Sequence, residues 1–185
     1  MQYIHRNLED FFKKSGMHYP AILLTGPRQV GKTTFLRHVS EESRNYVSLD
    51  IPRDRNLAKE DPELFLERHK PPVLIDEIQY APELLPFIKV LIDKEQKPGM
   101  FWLTGSQQYK MMERVRETLA GRIGILELYS LSAREKAGLV FDTDLDFSLA
   151  TLQARQKKLP KKLPRTLLLQ QLSTERATKY QYPIQ

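Results

Sequence analysis

The stretch Ala21-Ile22-Leu23-Leu24-Thr25-Gly26-Pro27-Arg28-Gln29-Val30-Gly31-Lys32-Thr33-Thr34 decides how this chain reads. Ala21 to Thr25 is a near-continuous apolar run, the pattern of a strand buried on both faces. It breaks at Gly26, and Gly26 to Thr33 then matches G-x-x-x-x-G-K-[ST] at every required position. Glycines let the backbone curl until its N–H groups face phosphate oxygens. Lys32 is placed to reach β- and γ-phosphates, and the Thr33 hydroxyl to ligate Mg²⁺. A helix over Lys32 to Glu42, with Phe35, Leu36 and Val39 inward, directs its positive end at the same anion. Gly26, Pro27, Arg28, Gln29, Val30, Gly31, Lys32, Thr33 and Thr34 are therefore the expected nucleotide-binding residues.

Outward from this loop the pattern alternates. Residues 1–16 carry Ile4, Leu8, Phe11 and Phe12 at helical spacing, and Tyr46 to Leu49 reads as a second strand. The polar segment 52–72 holds one expected short helix that starts near Pro62. Pro71-Pro72 forces an extended entry into the strand Val73 to Ile75. A helix bearing Leu84, Leu85, Ile88, Leu91 and Ile92 follows, with Pro86 making it start late or bend. Met100 to Thr104 is a fourth strand, 107–120 a helix stopped by Gly121, and Ile123 to Leu128 a fifth strand. Ser132-x-x-Glu135 is a capping box that opens a last helix. Strands alternating with helices argue an α/β fold, a parallel sheet with helices on both faces.

Two acids end the third strand, in Val73-Leu74-Ile75-Asp76-Glu77. Asp76 suits the metal-side acid that holds Mg²⁺ through its water shell, with Asp50 as a competitor. Glu77 is placed to orient and deprotonate an attacking water, a role that a kinase does not need. In Leu103-Thr104-Gly105-Ser106-Gln107, Ser106 either reports on the γ-phosphate or caps the following helix. Arg122 is placed to stabilise charge on a transferring phosphoryl group, within the subunit or across an interface. Arg114 and Arg116 are its rivals. The expected catalytic set is thus Glu77, Lys32 and Arg122.

Composition narrows the field. A chain of 185 residues, 41% hydrophobic and 28% charged, is long enough for one domain with a core, plus a tail. With no cysteine, disulfide scaffolds, thiolate metal sites and cysteine nucleophiles are excluded. His5, His18, His38 and His69 lack metal-binding spacing. No apolar run is long enough to span a membrane, and the N-terminus has no apolar signal region, which points to the cytoplasm. The net charge of +6 resides at the C-terminal end, where residues 151–185 hold eight Lys and Arg against Glu175 alone. Six of the eight lie between Arg155 and Arg165. That stretch reads either as a solvated end or as a contact for nucleic-acid phosphates.

The stretches LLTGPRQVGKTTFL, VLIDEIQYAPELLPFIKVLID, FWLTGSQQY and ETLAGRIGILELYSLS, in this order, closely resemble the prokaryotic AAA-type (AAA+ superfamily) P-loop ATP-binding proteins. That group usually carries a C-terminal domain of unknown function. The resemblance implies a three-layer α/β/α P-loop fold with central parallel strand order 5-1-4-3-2. It implies a Walker A at Gly26–Thr33, a Walker B at Asp76-Glu77 and a sensor-like strand end around Thr104–Gln107. Arg122 matches the arginine of the group's L-A-G-R stretch. Residues 1–140 are then the ATPase domain, and 141–185 a basic remnant of a linker or truncated second domain. The expected activity is Mg²⁺-dependent hydrolysis of ATP to ADP and phosphate that drives a conformational switch, with homo-oligomers as expected assemblies. The alternatives are a non-hydrolysing nucleotide-binding module and a small-molecule kinase. GTP is disfavoured, because no [NT]-K-x-D motif occurs.

Overall fold

Strands β1 (Ala21–Thr25), β2 (Asn45–Ser48), β3 (Val73–Asp76), β4 (Phe101–Thr104) and β5 (Ile123–Glu127) form one parallel sheet in the order β2-β3-β4-β1-β5. This is the expected 5-1-4-3-2 order read from the other edge. The computed structural model describes residues 3–105 and 109–138. Ser106 and the expected tail at 141–185 lie outside the described residues. The described residues divide into two units, one of Leu8–Ser130 and one in which residues 3–7 join residues 131–138.

In the larger unit the strand period of two sorts side chains between two cores. Ile22, Leu24, Leu74 and Trp102 face helices α1 (Glu9–Gly16) and α2 (Lys32–Val39), which contribute Phe12, Phe35 and Leu36. Leu23, Val73, Ile75 and Leu103 face the other way. They meet α3 (Pro52–Glu60), α4 (Pro62–Arg68), α5 (Leu84–Glu95) and α6 (Tyr109–Thr118), which supply Ala58, Phe65, Ile88 and Val115. Every residue of β1, β3 and β4 is buried, as their unbroken apolar runs require. Burying each Leu, Ile or Phe contributes about 1.5–3 kcal/mol, so this sheet is a stiff platform for whatever its strand ends carry.

Two elements differ from the sequence reading, the segment 52–72 and the N-terminal helix. The polar segment 52–72 forms two helices rather than one. Pro52 opens α3 at a position where a missing N–H costs nothing, and Ala58 alone among its apolar residues is fully buried. So thin an apolar stripe leaves little periodicity to read. Helix α5 starts at Leu84, with Pro86 accommodated in its first turn. The N-terminal helix begins only at Glu9, because the preceding residues are held elsewhere. In the smaller unit Arg6 Nε donates to Glu135 Oε1 at 3.1 Å and the Asn7 N–H to the same oxygen at 3.0 Å. Glu135 belongs to α7 (Ala133–Lys136), whose expected capping box with Ser132 is formed. Among the described residues no helix is long and apolar enough to cross a membrane.

Candidate nucleotide site

The loop between β1 and α2 is built on backbone conformations that few residues tolerate. Gly26 has φ +143°, and a Cβ there would lie 2.1 Å from the Leu128 carbonyl oxygen. The chain after β5 crosses that close because the Leu128 N–H donates to the Thr25 carbonyl at 2.8 Å. Gln29 (φ +62°) and Gly31 (φ +90°) turn the loop twice through the left-handed region. Helix α2 then starts at Lys32 with no side chain capping its N-terminus. Its first-turn N–H groups are therefore available to an anion.

Lys32 is nearly buried and folds back over the loop. Its Nζ donates to the carbonyls of Gly26 (3.1 Å) and Pro27 (2.8 Å). Burial pulls its pKa below the ordinary lysine value. Glu77 and Asp76 oppose that shift, and Arg28 adds to it. A cavity of about 400 Å³ opens here, lined by Arg28, Lys32, Thr33, Thr34, Asp50 and Glu77 among others.

Asp76 stands at the end of β3, 4% exposed, and its carboxylate is a hub for hydroxyls. Thr33 Oγ1 lies 3.1 Å from Oδ1 and 3.0 Å from Oδ2, so its single proton serves one oxygen at a time. The Tyr46 hydroxyl donates to Oδ2 at 3.0 Å, and Thr104 Oγ1 donates to Oδ1. Thr104 in turn accepts from the Glu77 N–H at 2.8 Å. Burial, then the charge of Asp76, raises the Tyr46 pKa, which keeps that phenol a donor. The Arg37 guanidinium lies 3.9 Å over the Tyr46 ring. Between the two candidate metal-side acids, it is Asp76 that bonds Thr33, while Asp50 stays at the cavity wall.

Glu77 adopts the left-handed conformation (φ +62°), a strained choice for a residue with a side chain. It lines the cavity, and its Oε2 accepts from Gln79 Nε2. The fold thus brings together the loop residues 26–34, Asp76 and Glu77. Tyr46, Thr104 and Gln79 join the same network. Thr104 lay in the stretch the resemblance marked as sensor-like, whereas Tyr46 and Gln79 carried no sequence signal beyond strand and turn.

Arg122 is not brought to the loop. It precedes β5, where its carbonyl accepts from the N–H of Ala21, the first residue of β1. At about 3.3 Å per residue, four steps of β1 put roughly 13 Å between that end and the loop. The guanidinium instead grips Asp93 of α5, from Nε to Oδ1 and from Nη2 to Oδ2 at 3.1 Å, while Nη1 donates to the Ala120 carbonyl at 2.9 Å. The partners of this guanidinium are thus Asp93 and Ala120, at the far end of β1 from the chain's own loop.

A buried parallel strand, a left-handed glycine loop, an inward lysine and a threonine–aspartate pair define a nucleotide-binding domain of the P-loop NTPase class. The chain belongs to the AAA domain family, whose sequence model matches residues 18–137. The proteins Rv2008c of Mycobacterium tuberculosis and Mb2031c of Mycobacterium bovis, both described as uncharacterized, are each 37% identical to it over 117 residues. The match takes in 63% of this chain and 26% of theirs, so the chain spans about a quarter of the length of these relatives. AMPPCP-bound DnaA from Aquifex aeolicus superposes with a TM-score of 0.50 at 13% identity, over 94% of this chain and 59% of that one. RuvB of Thermotoga maritima gives a TM-score of 0.41 at 24% identity, over 69% and 43% respectively. The likeness to DnaA is one of fold.

Proposed function

We propose that the domain binds ATP with Mg²⁺ on residues 26–34 and hydrolyses it to ADP and phosphate, with the cycle driving a conformational switch. The observation that carries this reading is the Thr33–Asp76 pair beside Glu77 in the cavity that Lys32 lines. A hydroxyl and a carboxylate side by side are hard oxygen donors, few enough that Mg²⁺ would keep waters and phosphate oxygens as its other ligands. The donor set therefore fits, with Thr33 and Asp76 as the residues that would hold the ion. When bound, Mg²⁺ neutralises charge that develops on the transferred phosphoryl group.

The chain's own groups supply the remainder. Lys32 exchanges the carbonyls of Gly26 and Pro27 for phosphate oxygens, a stronger, charge-assisted partnership. The first-turn N–H groups of α2 receive the same anion. Glu77 takes the proton of the attacking water, and Thr104 fixes the backbone from which it projects. Arg122 would complete the site of a neighbouring subunit, which makes a homo-oligomer part of the reading.

A second reading, nucleotide binding with negligible turnover, is favoured by the bond from Gln79 Nε2 to Glu77 Oε2, which ties up the base. One comparison separates the two. Glu77→Gln should bind ATP like the wild type yet release phosphate about 10²–10⁴-fold more slowly. Equal, measurable rates would remove Glu77 from the base role. Negligible rates in both proteins, with ATP bound, would establish the binding module.

A further inference from the structure

A cleft of about 780 Å³ opens where β2, β3 and β4 begin, at the end of the sheet away from the P-loop. Lys13 and Gly16 of α1, Arg44, Lys97 and Trp102 are among the residues that line it. Two of them carry hydrogen-bond donors with no partner among the described residues, the Trp102 indole Nε1 and the Arg44 Nε. Both groups are deeply buried, with Trp102 4% exposed and the Arg44 side chain 3%. They also touch, since the guanidinium lies 3.8 Å over the indole. Arg44 is otherwise engaged through Nη1 to the Gly99 carbonyl (2.9 Å) and Nη2 to Glu41 (2.6 Å). Buried donors without acceptors are rare in folded proteins, because leaving water without a replacement bond is unfavourable. A stacked pair of them in one cleft asks for an acceptor.

Gly16 supplies a second, independent indication. It lies within α1, and its backbone is not left-handed, so the conformation does not call for glycine. A Cβ at Gly16 would sit 3.7 Å from Trp102 Nε1 and cover the indole N–H. An added Cβ would stand in ordinary van der Waals contact with the indole on the side of its N–H. The charge of the cleft is also biased. Glu41 is bound by Arg44 and Glu95 pairs with Lys97 at 3.1 Å, while Lys13 has no acid in ion-pair reach among the described residues.

We propose that this cleft is a second ligand site, separate from the nucleotide loop, for a small organic oxyanion. One carboxylate or phosphate oxygen accepts from the Trp102 indole N–H and from Arg44 Nε, with Lys13 at the rim balancing the charge. A cleft of this size suits a metabolite-scale molecule.

Trp102 is the chain's single tryptophan, so its indole ¹⁵N–¹H resonance reports on this cleft alone. The full chain is titrated with citrate and, separately, with inorganic phosphate. At least one probe should shift the indole resonance saturably with a millimolar or tighter Kd, and which one does so assigns the carboxylate or the phosphate. Gly16→Ala should weaken that binding at least tenfold while its thermal midpoint holds or rises. Lys32→Ala should leave the shift intact. No saturable shift with either probe overturns the proposal. So does undiminished binding by a folded Gly16→Ala chain, or loss of the shift in Lys32→Ala, which would trace the anion to the nucleotide loop.

Discussion

The Thr33 hydroxyl stands 3.0 and 3.1 Å from the two carboxylate oxygens of Asp76, although the two residues come from different turns of the fold. Parallel pairing of β4 with both β1 and β3 closes the distance, since it sets the ends of all three strands side by side. A hydrogen bond to a charged group contributes about 1.5–3 kcal/mol, equivalent to roughly 10–100-fold in an equilibrium constant. Thr33→Val removes the hydroxyl at nearly constant volume. ATP affinity measured with Mg²⁺ should fall by about that factor, while affinity measured in EDTA should change little. An equal loss in both conditions would place Thr33 outside the metal side of the site.

Gly26 and Gly31 both have positive φ, yet they should not respond alike to alanine. At Gly31 nothing lies within 4 Å of an added Cβ, so only backbone strain of about 1–2 kcal/mol opposes it. At Gly26 the Cβ meets the Leu128 carbonyl at 2.1 Å, and the contact is backbone on backbone. Gly26→Ala should therefore destabilise the fold by several kcal/mol in urea unfolding, on the order of strain plus overpacking. Equal midpoints for the two variants would contradict this geometry.

Arg122 lies at the wrong end of β5 for its own nucleotide loop, and its fork is held by Asp93 on the surface. An arginine that completes a neighbour's site predicts turnover per subunit that rises with protein concentration. Arg122→Ala should bind ATP normally and turn over slowly. Mixing it with Glu77→Gln subunits should restore activity, because one keeps the base and the other supplies the arginine. Undiminished turnover of Arg122→Ala at every concentration would make it a surface residue paired with Asp93.

Glu135 makes the smaller unit sensitive to acid. Burial alone would raise its pKa, but the N–H groups of Ser132 and Asn7 and the Arg6 guanidinium outweigh that and hold it below the ordinary glutamate value. A depressed carboxylate contributes stability at pH values above its unfolded pKa, and that contribution is lost as pH falls through the folded pKa. Hydrogen exchange at residues 131–138 should thus accelerate as pH falls below the ordinary glutamate range and the native carboxylate gains its proton. Glu135→Gln should flatten that dependence. Glu135→Ala should cost about 3–5 kcal/mol of local stability, the range for breaking a buried ion pair.

Much of the fold was legible because its signals are local. The strand runs Ala21–Thr25 and Val73–Asp76 are apolar throughout, which only a strand buried on both faces needs. The Ser132–Glu135 capping box spans one helical turn and formed as read. Helix α3 went unread because a nine-residue helix with Ala58 as its one fully buried apolar residue has almost no period. The late start of α1 could not be read either, since Arg6 and Asn7 are held by Glu135, 128 or more residues away.

By itself the sequence determined the phosphate-binding loop and the class of sheet that presents it. Glycine, lysine and threonine at fixed spacing, and a strand leading into a helix, are properties of a dozen consecutive residues. Only the tertiary structure decided which acid meets Thr33, that Tyr46 and Thr104 share Asp76 with it, that Gln79 holds Glu77, and that Arg122 stands about 13 Å from the chain's own loop. Hydrogen bonds act over about 3 Å, and residues far apart in the chain come within that reach only once the strands have paired.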